Sequence, residues 1–199
     1  MDFLGLKNLT IIDNILNDIK ETTGEVIDFS KIPLDDKETL KIFETANTSG
    51  IFQFESTGMR NFLRRLKPNT FEDIFAAIAL FRPGPATNID TYIKRKHKEE
   101  NVTYIDKSLE QISSNTYGIL IYQEQIMQVA SAYAGYSLGE ADILRRAMSK
   151  KKLELLKNEE DKFIEKAMSK NHPYDQAKEI FNLVLNFAGY GFNRSHSVA

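Results

Sequence analysis

A capped start followed by an apolar stripe at helical spacing recurs along this chain, and that recurrence leaves little room for anything but a helical fold. Ser137 can cap the free N–H groups of a helix start, and Glu140, three residues on, can reach back to complete a capping box. Ala141, Leu144 and Met148 follow as one stripe. Asp35-Asp-Lys-Glu38 opens a similar segment through Leu40, Phe43 and Ala46. Ser56 opens another, with Met59, Phe62, Leu63 and Leu66 ahead of the stop at Pro68. Thr70 and Asp73 frame a fourth, carrying Ile74, Ala77, Ile78 and Phe81.

The same spacing predicts helices over Lys7–Thr22 (Leu9, Ile12, Leu16, Ile19, with Gly24 as C-cap), over Asp90–Lys98 and over Lys107–Ser113. It predicts another from Gln123 through Ile126, Val129 and Tyr133 to Gly135. A long charged helix follows through Leu156, Phe163, Ile164 and Ala167, broken at Asn171-His-Pro173. The last helix carries Ala177, Ile180, Phe181, Val184 and Phe187. Val26–Phe29 and Ile51–Phe54 read as short extended pieces. The expected class is mainly α with a few short strands, and no 30–50-residue repeat is present.

Composition narrows the function classes. The 199 residues contain no cysteine and three histidines, which excludes disulfides and thiolate metal sites and disfavours a histidine-rich zinc site. No apolar run is long enough to span a bilayer and no signal peptide opens the chain, so an intracellular, cytoplasmic setting is expected. Met1-Asp-Phe-Leu-Gly5 begins at once in structure-forming sequence, and Ser195–Ala199 ends without a polar tail. Both ends read as those of a piece excised from a larger protein.

Charge is uneven. Arg145, Arg146, Lys150, Lys151 and Lys152 place five cations within eight residues of a chain whose net charge is −2. The plain reading is a solvated helix face with cations favoured near the C-terminus by the helix dipole. The functional reading is an anion site, since two adjacent arginines offer planar forks suited to phosphate oxygens. Arg82-Pro-Gly-Pro85 is a rigid break that positions a cation without a flexible stem; Gln53, within Phe52-Gln-Phe54, stands among aromatics. Either side chain can meet a nucleobase, a phosphate or a neighbouring backbone. Tyr122-Gln-Glu-Gln125 puts Gln123 and two further polar groups at a helix start, where they bind anions or simply cap. Gly189–His196 combines Tyr190 and Phe192, able to stack on a base, with Arg194 and His196, able to touch phosphate; the alternative is a glycine-rich helix end packing two aromatics. No Walker-type phosphate loop, H-E-x-x-H or G-x-S-x-G occurs.

In one order across the chain stand Asp2-Phe-Leu-Gly-Leu-Lys7, Gly50-Ile-Phe-Gln-Phe-Glu-Ser56, Leu80-Phe-Arg-Pro-Gly-Pro85, Tyr117-Gly-Ile-Leu-Ile-Tyr-Gln-Glu-Gln125, Ala141-Asp-Ile-Leu-Arg-Arg-Ala-Met148 and Phe192-Asn-Arg-Ser-His-Ser197. Together they resemble the alpha subunit of bacterial DNA polymerase III, the C-family replicative polymerase. The resemblance implies a remnant of palm over residues 1–22 and a truncated fingers domain over 23–199. It makes Asp2 the third carboxylate of a Mg2+ site; the family's other two lie in an upstream Asp-x-Asp motif that nothing here matches, Asp35-Asp36 standing in the wrong context. The phosphoesterase-like domain, thumb, clamp-binding region and oligonucleotide-binding domain are expected to be missing.

It further implies that Arg145 and Arg146 hold the incoming deoxynucleoside triphosphate, with Lys150 and Lys152 nearby and Arg82 in support. Arg194 and His196 contact triphosphate or template. Gln123, Tyr190, Phe192, Asn193 and Ser195 flank DNA or the nascent base pair. The implied partners are primer–template DNA, deoxynucleoside triphosphates and, through absent regions, a sliding clamp, with no membrane. Alone, a chain with one metal carboxylate is expected to be inactive. The competing reading is a non-catalytic nucleic-acid-binding module that uses Arg64-Arg65, Lys94–Lys98 and the Lys150 cluster on DNA backbone.

Overall fold

The computed structural model describes residues 7–149, 153–188 and 190–198. Asp2, Lys150 and Lys152 lie outside the described residues. Along the chain run α1 (Lys7–Thr23), α2 (Lys37–Glu44), α3 (Thr57–Leu66), α4 (Phe71–Leu80), α5 (Ile89–Lys96) and α6 (Lys107–Ser113). These are followed by α7 (Gln123–Ala134), α8 (Leu138–Ser149), α9 (Leu153–Ser169), α10 (Tyr174–Ala188) and α11 (Arg194–Val198). The chain divides into two compact units, Met1–Asp36 and Lys37–Ala199. In the first, α1 ends at Gly24, whose φ of 75° is the left-handed C-cap conformation, with its N–H on Lys20 O at 3.0 Å.

The expected strands are absent among the described residues, where the only β pairing is a single parallel bridge between Tyr122 and Phe192. Ile51–Phe54 is a tight turn instead. The Thr48 hydroxyl, fully buried, donates to Phe54 O at 2.6 Å, and Phe54 N–H bonds Ile51 O at 3.0 Å. Those bonds satisfy locally the backbone groups that a strand would need a partner for. Phe29–Lys31 is likewise a 3-10 turn capped by Asp28.

In the second unit three of the capping signals hold. Ser56 caps α3, Thr70 and Asp73 form a reciprocal box on α4, and Ser137 and Glu140 do so on α8, with Ser137 N–H to Glu140 Oε2 at 2.9 Å and Glu140 N–H to Ser137 Oγ at 3.3 Å. Two apolar clusters result. The first gathers α2 to α5 around Leu63, Leu66 and Leu80; the second gathers α6 to α10 around Tyr133, Phe163, Phe181 and Val184. Between them runs the apolar segment before α7. Its period-two alternation is legible in the cores: Ile119 and Ile121 enter the first cluster and Leu120 the second. This segment and Phe192, clamped to it by the bridge, position the site.

Candidate functional site

The stripe Ala141, Leu144 and Ala147 buries α8 against the second cluster, with Ala141 and Leu144 fully enclosed. That leaves Asp142, Arg145 and Arg146 on the outer part of the helix. Asp142 stands three and four residues before the arginines, the spacing at which helical neighbours meet. Its Oδ1 accepts from Arg145 Nε (3.0 Å) and Nη2 (2.8 Å), and its Oδ2 from Arg146 Nη2 (2.7 Å). One carboxylate thus holds two guanidiniums. The hydrogen bond from Arg145, with the charges of both arginines, keeps the Asp142 carboxyl below its ordinary range against the opposing pull of desolvation. Arg145 is about a quarter exposed; Arg146 is 67% exposed.

From Arg145 the network runs on. Its Nη1 donates to Gln123 Oε1 at 3.1 Å. Gln123 opens α7, and its backbone N–H donates to Phe192 O at 2.9 Å, while Phe192 N–H donates to Ile121 O at 2.9 Å. Gly191 keeps this approach uncrowded, since a Cβ there would stand 3.1 Å from Gln123 Cγ. The Phe192 ring is 7% exposed, and the Arg82 guanidinium lies over its face at 4.7 Å from the centroid. Arg82, Phe192, Gln123, Arg145 and Arg146 therefore form one connected set, joined through Asp142.

Gly84 shapes the turn beneath. Its φ of 105° is closed to ordinary residues, and a Cβ would collide with the Tyr190 ring at 2.1 Å. Tyr190 packs across the Arg-Pro-Gly-Pro turn, half exposed. The last turn splits the remaining candidates. Asn193 Oδ1 caps α11 by accepting from His196 N–H at 2.9 Å. His196 lines a cavity of about 290 Å3 with Arg82, Phe192 and Gln53. Arg194 and Ser195 line a different one, about 650 Å3, with Tyr122 and Gln125. There Arg194 pairs with Glu72 at 2.5 Å, its backbone N–H meets the Glu124 carboxylate at 3.0–3.1 Å, and its guanidinium faces the Phe75 ring. Beside it the Tyr122 hydroxyl is buried without a partner among the described residues, and that burial, with Glu72 nearby, pushes its pKa well up.

Gln125 is spoken for. Its Oε1 accepts from the N–H groups of Ile121 and Tyr122, and its Nε2 donates to Ile112 O and Thr116 Oγ1. In the basic run Lys94–Lys98, Arg95 and Lys96 are taken up by the fold, whereas Lys94 and Lys98 are exposed. Lys96 is 6% exposed and binds Asp73 at 2.8 Å; Arg95 binds Glu100 at 2.9 Å and Tyr117 O at 3.1 Å. Asp142 was not among the expected site residues, although its helical offset from the two arginines was a readable signal.

The family model for the bacterial DNA polymerase III alpha subunit finger domain matches residues 8–171. The chain belongs to that family. The finger sequence is 52% identical over all 199 residues to the DNA polymerase III subunit alpha of Staphylococcus aureus (strain COL), covering 19% of that protein. It is 49% identical over its whole length to the subunit of the same name from Halalkalibacterium halodurans, covering 18% of it. The finger chain thus spans about a fifth of the curated relatives it matches. No helix among the described residues is long and apolar enough to cross a membrane.

Proposed function

We propose that this finger domain serves template-directed DNA synthesis by receiving the triphosphate of the incoming deoxynucleotide on Arg145 and Arg146. The observation that carries the reading is the single carboxylate of Asp142 shared by two guanidiniums, one of them two-thirds exposed. Asp142 aims both guanidiniums, and the exposed Arg146 is open to phosphate oxygens. Fixed cations of this kind stabilise charge that builds on a transferring phosphoryl group without reorganising when it does. Gln123 holds Arg145 to the Phe192 bridge, and Arg82 lies over the ring of Phe192. The buried ring of Phe192 then acts as a base for Arg82 rather than as a stacking platform.

The parent enzyme in this reading is a DNA-directed DNA polymerase with primer–template DNA as partner, working in the bacterial cytoplasm and reaching a sliding clamp through other regions. Residues 1–22 would close the palm and 23–199 form the fingers. Tyr190, Asn193 and Ser195 would lie beside the DNA, Arg194 against template or triphosphate, and Lys150 and Lys152 near the triphosphate. Among the described residues no three His, Asp or Glu side chains converge on a metal site. In this reading Asp2 supplies one carboxylate of the Mg2+ site, and the remaining ligands belong to other parts of the polymerase.

Two measurements test the proposal. Arginine-specific modification of the full-length polymerase is expected to show protection at Arg145 and Arg146 by a deoxynucleoside triphosphate; protection by duplex DNA alone, with none by nucleotide, overturns it and favours a backbone-binding module. Primer extension by the 199-residue chain alone is expected to be undetectable, and robust extension contradicts the incomplete metal site.

A further inference from the structure

Four hydrogen bonds meet at the amide of Gln125, a buried side chain in the first turn of α7. Its Oε1 accepts from Ile121 N–H at 2.8 Å and from Tyr122 N–H at 3.0 Å. Its Nε2 donates to Thr116 Oγ1 at 2.8 Å and to Ile112 O at 3.2 Å. These bonds use both donors and both acceptor lone pairs of the amide. Gln125 lines the cavity of about 650 Å3 beside Arg194, but its amide has nothing left for a ligand there. Capping α7 needs only the acceptor, which a glutamate supplies equally well. The two donors reach further, to the last turn of α6 and to the buried Thr116. Glutamate lacks those donors and asparagine lacks the length, so the full set of bonds calls for glutamine.

The segment held in this way is the one that carries the site. Ile121 gives its N–H to Gln125 and accepts Phe192 N–H on its carbonyl at 2.9 Å. Gln123, two residues on, donates its N–H to Phe192 O at 2.9 Å and accepts from Arg145 Nη1 at 3.1 Å. The Phe192 ring lies under the Arg82 guanidinium. We propose that Gln125 is a positioning residue for nucleotide binding: by locking Ile121 and Tyr122 it sets where Gln123 and the Phe192 bridge stand, and so aims Arg145 and Arg82 without touching a ligand. The inference rests on the nucleotide-binding reading above and adds to it a buried residue that acts through Gln123 and Phe192. Without the amide, the N–H groups of Ile121 and Tyr122 lose their acceptor inside the protein. A buried N–H left unpaired is costly, and the segment escapes that cost by moving. Only a single bridge pairs it with Phe192 among the described residues, so little else opposes the movement. A misplacement of about 1 Å that starts far from the chemistry is enough to weaken a positioned contact.

The test uses the full-length polymerase with Gln125→Met, which fills the space and loses all four bonds, and with Gln125→Glu, which keeps the acceptor for Ile121 and Tyr122 and loses the donors. Nucleotide incorporation and thermal stability are measured together, with kinetics taken well below the unfolding temperature of each variant. Gln125→Met is expected to raise KM for deoxynucleotide about three- to tenfold with kcat nearly unchanged, and Gln125→Glu about two- to threefold. Combined with Gln123→Ala, either change is expected to add less than its separate effect, because both act through one segment. A variant that loses thermal stability but keeps the KM of the unsubstituted enzyme makes Gln125 a core residue only and overturns the proposal, as does full additivity with Gln123→Ala. If Gln125→Met does not fold, Gln125→Glu decides by the same measures. If Arg145→Ala and Arg146→Ala leave KM and kcat unchanged, it is the triphosphate reading that fails; if they raise KM while both Gln125 variants keep it, only the positioning role falls.

Discussion

Lys96 and Arg146 each meet an aspartate at hydrogen-bonding distance, 2.8 Å from Asp73 and 2.7 Å from Asp142. Both come from runs of cations that look alike in the sequence. Their settings are opposite. The Lys96 side chain is 6% exposed beside an Asp73 at 2%, and Asp73 Oδ2 also accepts from Asn69 N–H, Thr70 N–H and the Thr70 hydroxyl. Arg146 is 67% exposed beside an Asp142 at 29%, and Asp142 is shared with Arg145. The first pair is sealed and fully satisfied, so neither partner has anything left for a ligand. In the second, one carboxylate meets two guanidiniums and Arg146 stands in reach of solvent. Burial, rather than the presence of a partner, separates a structural cation from one poised for an anion.

The largest effect that can break this comparison is on stability. Lys96→Met leaves Asp73 buried without its cation and is expected to cost about 3–5 kcal/mol in chemical denaturation. The same change at Arg146 is expected to cost no more than about 1 kcal/mol, as for exposed pairs. Equal losses at the two positions erase the distinction.

Asp142→Asn comes next. It releases two guanidiniums from their organiser, at about 0.5–1.5 kcal/mol per immobilised side chain. The expected readout is a raised KM for deoxynucleotide with kcat nearly unchanged, partly restored by Asp142→Glu. A fall in kcat with KM unmoved contradicts a positioning role.

The smallest effect is in pH dependence. Glu140 takes the Ser137 backbone N–H and both Lys166 and Lys162, at 3.0 and 3.1 Å, and is held down to about 2 chiefly by the Ser137 hydrogen bond and then the two lysines. A depressed carboxyl stabilises the fold fully above its unfolded value and loses that contribution as pH falls towards the folded one. Stability is therefore expected to decline from about pH 4.5 down to about 2, and Glu140→Gln is expected to flatten that part of the curve. An unaltered acid profile in the variant removes Glu140 from the clamp between α8 and α9.

Much of this was legible in advance because it is local. Ser56, Thr70, Ser137 and Glu140 announce helix starts through chemistry confined to one turn; the stripe of α3 falls on its buried face, as do Ile74 and Ala77 of α4 and Ala141 and Leu144 of α8, while Phe81 at the end of the α4 stripe is exposed. Ile51–Phe54 reads as a strand because its run is apolar, while the bond that folds it comes from Thr48, outside the run. The site was legible by residue type more than by arrangement. That Phe192 lies buried under Arg82, that Arg194 and His196 turn to different cavities, and that Lys96 disappears beneath Asp73 all depend on non-local packing, which spacing does not encode. Asp142 is the exception: its offset from Arg145 and Arg146 was available in the sequence.

The most direct test is single-turnover nucleotide incorporation by the full-length polymerase as a function of deoxynucleotide concentration, with Arg146→Ala set against the unsubstituted enzyme. The account expects kcat/KM to fall by an amount equivalent to roughly 2–4 kcal/mol, with thermal stability held. Unchanged incorporation in a folded Arg146→Ala enzyme would contradict it.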